Sequence, residues 1–151
     1  MKPGIALSAL IIGTSLFGCA TSSSDHGVNV PLTATRNNAG QIGNVTLTDL
    51  GQKTGLSFFI SGVPNGAVLP LRVQSFIYKG SCQQPGAVAY AMNDQVNTER
   101  QPVKGWTLSR IAPVARSELL SGGYSVVVRS TADSGNQDLF CGDIKQANPV
   151  K

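Results

Sequence analysis

The chain has 151 residues, the length of one domain, and 41% of them are hydrophobic while 13% are charged. This balance is typical of a globular protein rather than a disordered one. The formal net charge is +4, and the basic residues beyond Lys2 occur singly, with no run of Lys or Arg. Binding to nucleic acid needs a clustered basic face, so this composition argues against nucleic acid as a partner.

The first eighteen residues have the pattern of an export signal. Lys2 gives a positive start, and the segment IALSALIIGTSLF, residues 5–17, is an apolar run of thirteen residues. A run of this length is too short to span a bilayer and suits the hydrophobic part of a secretory signal. A buried core helix would show amphipathic spacing, which this run lacks. We therefore interpret residues 1–18 as a signal peptide.

The tetrapeptide LFGC, residues 16–19, ends this segment and resembles the lipobox of bacterial lipoproteins. Leu16 opens the motif, the small Gly18 precedes the cleavage point, and Cys19 is the residue that would be acylated. The resemblance implies a mature chain that begins at a lipid-modified Cys19 and is held at a membrane by that lipid. Residue 20 is Ala rather than the Asp that tends to retain lipoproteins at the inner membrane, so the resemblance favours the outer membrane.

The remaining chain divides into a short tether and a folded part. Residues 19–28 comprise the acylated Cys and a Ser-rich polar segment that has nothing to bury, which predicts a flexible tether. Residues 29–151 read as one β-sandwich domain, because 17 glycines and 8 prolines punctuate short apolar segments. The segments with strand patterns are VTLTDLG (45–51), LSFFISGV (56–63), LRVQSFIY (71–78) and YSVVVRS (124–130).

Alternation within these segments predicts which faces are buried. In residues 56–63, Leu56, Phe58 and Ile60 fall on one face of a strand. The Val-Val-Val run at 126–128 favours a strand that is covered on both sides. The segment RSELLSGG, 116–123, predicts a single helical turn that the glycine pair ends. Short, evenly spaced strands of this kind predict an all-β, antiparallel sandwich or barrel.

The chain has three cysteines, Cys19, Cys82 and Cys141. If Cys19 carries a lipid, an even pair remains in an exported and oxidising compartment, which predicts a disulfide between Cys82 and Cys141. The alternative is a pair of free buried thiols. A zinc site would need more ligands than these two cysteines and His26, the only histidine.

Three segments resemble copper/zinc superoxide dismutases. They are GNVTLTDLGQKTGLSFFISGVPNGAVLPLRVQSFIYKGSC (43–82), SGGYSVVVRS (121–130) and LFCGDI (139–144), and they occur in the order that this family has. The resemblance implies a Greek-key sandwich or barrel. It also implies one internal disulfide, which in the family joins the cysteines that match Cys82 and Cys141.

The residues that would hold the metals in that family are replaced in this chain. The family's His-x-His falls on Ser75 and Ile77, its later copper histidine on Arg129, and its superoxide-guiding arginine on Asp138. Copper and zinc in such a site need several imidazole ligands, and an Asp in place of the guiding cation would repel an anionic substrate. We therefore predict no metal, no cofactor and no dismutase activity.

Other catalytic arrangements find little support. A Ser-His-Asp triad needs a positioned histidine, and His26 lies in the predicted tether. No two carboxylates are marked out as an acid–base pair. The segment TADSGNQD, 131–138, lacks the spacing of an EF-hand and reads as an ordinary turn.

Two hypotheses about function follow. In the first, the protein is a non-catalytic outer-membrane lipoprotein whose β-sandwich is a binding or structural module of the cell envelope, with an envelope protein or the cell wall as its partner. In the second, it is a periplasmic enzyme or metal-handling protein with an unrecognised site.

The lipobox resemblance predicts that Cys19→Ser abolishes lipid attachment, because only the thiol at this position forms the thioether to the lipid. Cells supplied with radiolabelled palmitate should label the wild-type protein and leave the Cys19→Ser protein unlabelled. Cys82→Ser is the matched control and should still be labelled. Equal labelling of wild-type and Cys19→Ser protein would contradict the lipoprotein hypothesis.

Overall fold

The computed structural model describes residues 26–146, and within them nine β-strands, a short α-helix and two 3-10 turns. The predicted signal segment 1–18 and Cys19 lie outside the described residues. Within the described part, no helix has the length and apolar character needed to cross a membrane. The elements are β1 (Val28–Ala34), β2 (Ile42–Asp49), β3 (Thr54–Ile60), β4 (Val73–Gly80), β5 (Pro85–Ala91), β6 (Glu99–Arg100), β7 (Trp106–Ala112), α1 (Arg116–Leu120), β8 (Tyr124–Ser130) and β9 (Asp138–Ile144), with 3-10 turns at Arg36–Asn38 and Ala132–Ser134.

The strands form one antiparallel sheet in the order β5-β4-β8-β9-β1-β2-β3-β7-β6. Strand β9 pairs with β1, so the last strand of the described chain lies beside the first. Three connections, β3 to β4, β5 to β6 and β7 to β8, cross from one half of the sheet to the other. The sheet curls back on itself, and a hydrogen bond from Arg110 of β7 to the carbonyl of Val73 in β4 shows that its two halves meet. The prediction of an antiparallel all-β fold is confirmed.

The core is filled by alternate residues of strands from both halves of this curled sheet. Leu56, Phe58 and Ile60 of β3 are fully buried, as their alternation predicts. In β8 all three valines of 126–128 are buried, which agrees with a strand covered on both faces. Burial of such side chains contributes about 1.5–3 kcal/mol each, so these strands supply much of the stability of the fold.

The predicted helical turn is present as α1, and its end is set by glycine. Leu119 on α1 is fully buried and anchors the turn to the core. The backbone N–H of Ser121 donates to the carbonyl of Glu118, after which Gly122 and Gly123 have φ angles of 105° and 81°. Those positive angles are costly for residues with a side chain, so the glycine pair ends the helix.

A disulfide joins Cys82 to Cys141, as predicted from the cysteine count. The Cα atoms lie 5.8 Å apart, and the bond closes a sequence separation of 59 residues. The backbone N–H of Cys82 also donates to Oδ1 of Asp143 over 2.7 Å. The loop after β4 is therefore fixed to β9 by one covalent bond and one charge-assisted hydrogen bond.

Removing the disulfide should destabilise the fold without changing it. For Cys82→Ala/Cys141→Ala we expect a loss of about 2–5 kcal/mol in the free energy of unfolding, because the open loop gains freedom in the unfolded chain. Urea unfolding of the purified full chain measures this loss, and the dispersion of amide NMR signals checks the fold. A stability equal to that of the wild type would show that the bond contributes nothing.

Candidate functional site

The positions that the dismutase resemblance assigns to copper ligands lie on two different faces of the sheet. Ser75 and Ile77 of β4 are fully buried and point into the core. In the β4–β8 register Ser75 pairs with Val128, whereas Arg129 pairs with Gln74. Successive side chains of a strand point to opposite faces, so Arg129 lies on the outer face of this sheet. The structure therefore does not bring Ser75 and Ile77 together with Arg129.

Arg129 is held on the outer face by three neighbours. Its Nε donates to Oδ1 of Asp138 over 2.6 Å, and its Nη2 donates to the hydroxyl oxygen of Tyr78 over 3.0 Å. Its Cζ lies 5.0 Å from the ring centroid of Phe76, a cation–π distance. The hydrogen bond to Asp138 raises the pKa of Arg129, against the opposing effect of partial burial. Two of the positions that the resemblance assigns to catalysis, 129 and 138, thus form an ion pair.

This ion pair has a defined chemical capacity. Guanidinium carries N–H donors and no lone pair available for a metal, so Arg129 cannot replace an imidazole ligand. The Asp138 carboxylate that lies beside it accepts the hydrogen bond and partly neutralises the charge. The arrangement holds β8, β9 and β4 together on the outer face.

The turn predicted at residues 131–138 is present as the 3-10 turn Ala132–Ser134. The Asp133 carboxylate accepts hydrogen bonds from the hydroxyl of Thr131 and from Nη2 of Arg72. The hydrogen bond from Thr131, followed by the charge of Arg72, holds the pKa of Asp133 below its usual value. The carboxylate is therefore engaged by protein donors at this turn.

The other candidate ligands lie apart. His26 is exposed at the start of the described residues, and Cys82 and Cys141 are bonded to each other. Within residues 26–146, no group of three or more His, Cys, Asp and Glu side chains is placed to hold a metal ion.

Arg110 is a functional candidate that the sequence patterns above do not predict. It lies on the core side of β7 and is only 6% exposed. Its Nη1 donates to the carbonyl of Ser109 over 2.8 Å and its Nη2 to that of Val73 over 3.2 Å, while Nε has no acceptor among the described residues. Burial lowers the pKa of Arg110. The signal was available in the sequence, because Arg110 occupies the inward phase of the strand between Leu108 and Ala112.

No protein-family model, curated protein or solved structure matches this chain. Two features of the described residues bear on function. One is the ion pair of Arg129 with Asp138 on the outer face, and the other is the buried Arg110 between β7 and β4.

The ion pair on the outer face should contribute modestly to stability. Asp138→Asn is expected to lower the free energy of unfolding by about 0.5–1 kcal/mol, because both side chains are partly exposed and solvent screens the pair. Asp94→Asn is the matched control, an exposed carboxylate that forms no ion pair within residues 26–146, and it should change stability by less than about 0.5 kcal/mol. Urea unfolding measures the free energy of unfolding of both variants. Equal losses in the two would contradict a stabilising ion pair between Asp138 and Arg129.

Proposed function

We propose that this protein is a lipid-anchored, non-catalytic envelope protein whose folded part is a binding module on a superoxide dismutase-like Greek-key scaffold. The observation that carries the proposal is the ion pair of Arg129 and Asp138, which occupies positions that serve copper chemistry and substrate guidance in the family it resembles. In this proposal the chain keeps the family's Greek-key scaffold, while the residues that serve its metal chemistry are replaced.

Support for the scaffold comes from the strand order. Consecutive strands β1, β2 and β3 lie side by side, and the chain then crosses to β4 and β5. It crosses back to β6 and β7, and crosses once more to β8 before β9 returns beside β1. Long connections that return a strand beside an earlier one are the feature of Greek-key sandwiches. The disulfide between Cys82 and Cys141 joins the cysteines that the resemblance aligns with the family's own pair.

Support for a non-catalytic role comes from the chemistry of the replaced positions. Ser75 and Ile77 are enclosed in the core, where neither can reach a metal on the outer face. A cation at position 129 repels a metal ion, and the carboxylate at position 138 repels superoxide. Each replacement opposes a step that the family's activity needs.

The proposed anchor limits where a partner can be. Val28, the first residue of β1, lies nine positions after Cys19. Even a fully extended chain spans only about 3.3–3.6 Å per residue, so the start of the folded part would stay within roughly 30 Å of the outer membrane. The partner in this proposal is accordingly an envelope protein or a cell-wall component close to that membrane.

Metal analysis tests the proposal against the metal-handling alternative. After incubation with copper and zinc and removal of the excess, we expect less than about 0.1 metal ion per chain and no dismutase activity, because the imidazole ligands are missing. A copper/zinc superoxide dismutase stripped and reloaded in parallel is the control. A stoichiometric metal that survives gel filtration, or activity above the buffer blank, would overturn the proposed function.

A further inference from the structure

A crevice lies between β7 and the segment 92–98, which we call the β7 crevice. The segment runs along β4, where the backbone N–H of Met92 donates to Ser75 and the N–H of Val73 donates to Val96. Strand β6 pairs with β7 only at Trp106 and Thr107. The remaining residues of β7 therefore have no strand on that side, and the edge faces the segment.

Arg110 lies at the base of the β7 crevice with unused donors. A guanidinium has five N–H donors, and Arg110 uses two of them for the carbonyls of Ser109 and Val73. Within residues 26–146 no carboxylate forms an ion pair with it, although it is the one charged residue of that range among the buried side chains. Burial of an arginine without a counter-charge is costly, which points to an anionic group that completes the site.

The surroundings of Arg110 indicate which anion fits. A cavity of about 290 Å³ opens beside it, at the lower limit of the size of small-molecule sites. Besides Arg110, its lining combines an exposed carboxylate, two uncharged polar residues and two apolar ones: Asp94, Gln95, Ser109, Met92 and Ile111. Ile111 is 59% exposed, so its apolar side chain is accessible to a ligand at this cavity.

We propose that the β7 crevice binds a small α-amino acid with an apolar side chain. Arg110 holds the carboxylate through its remaining donors, Asp94 binds the ammonium group, and Met92 and Ile111 contact the side chain. A planar carboxylate matches the fork of a guanidinium. Asp94 disfavours phosphate or any ligand that is anionic alone. The proposal deepens the binding role proposed above by naming a ligand class.

The side-chain Nε–H signal of Arg110 in ¹H–¹⁵N NMR spectra tests the proposal directly. The full chain is purified in detergent, and the signal is assigned through the backbone of β7, so the assignment does not depend on a variant that must fold. L-Leucine should shift this signal in a saturable manner, with a midpoint at least about tenfold below that of acetate. Methylammonium chloride and sodium chloride at equal ionic strength should leave it in place.

Variants separate the two charged contacts. Asp94→Asn, at an exposed position, should keep the response to acetate and lose the advantage of leucine over acetate. Arg110→Lys removes the planar fork and should abolish saturable leucine binding measured by calorimetry, whereas the exposed control Arg100→Lys should bind as the wild type does. The absence of a saturable shift with leucine, equal midpoints for leucine and acetate, or an equal shift with sodium chloride would overturn the proposal. Bound metal would overturn the proposed function instead, so the two failures are distinguishable.

Discussion

The packing of two halves of one curled sheet around a shared core is the interaction on which the rest of the structure depends. Phe58 from β3, Ile77 from β4 and Phe140 from β9 are each buried to 1% exposure or less. Their burial removes a large apolar area from water, which is the main favourable contribution to folding. When alternate side chains of a strand point into the core, the side chains between them point to the outer face. This alternation decides which residues lie on each face of the sheet.

That constraint explains why the two arginines differ. Arg129 is outward on β8, where Asp138 on the neighbouring strand and Tyr78 on β4 satisfy it. Arg110 is inward on β7, where backbone carbonyls accept its hydrogen bonds and no carboxylate lies in pairing range among residues 26–146. The ion pair of Arg129 stabilises the outer face. Arg110 keeps unused donors beside a cavity, which is the arrangement expected of a binding site.

Features that depend on local sequence could be predicted, whereas contacts that depend on the register between strands could not. The alternation of Leu56, Phe58 and Ile60 predicts the buried face of β3, because it depends only on residues close together in the sequence. The disulfide is predicted from the number of cysteines alone. The contact between Arg129 and Asp138 depends on the β8–β9 register, which shifts after Val128, and a shift of this kind has no local signature. Arg110 interrupts an apolar alternation, so its position was readable, but its lack of a carboxylate partner emerges only when β4 and β7 meet.

A crystal structure from crystals grown with excess copper and zinc, with anomalous maps at both metal edges, would test whether the outer face binds metal. We expect the curled nine-stranded sheet, Nε of Arg129 in hydrogen-bond contact with Asp138, and no anomalous peak at the outer face of β4, β8 and β9. A metal peak coordinated by side chains at that face, with Arg129 displaced from Asp138, would contradict this expectation.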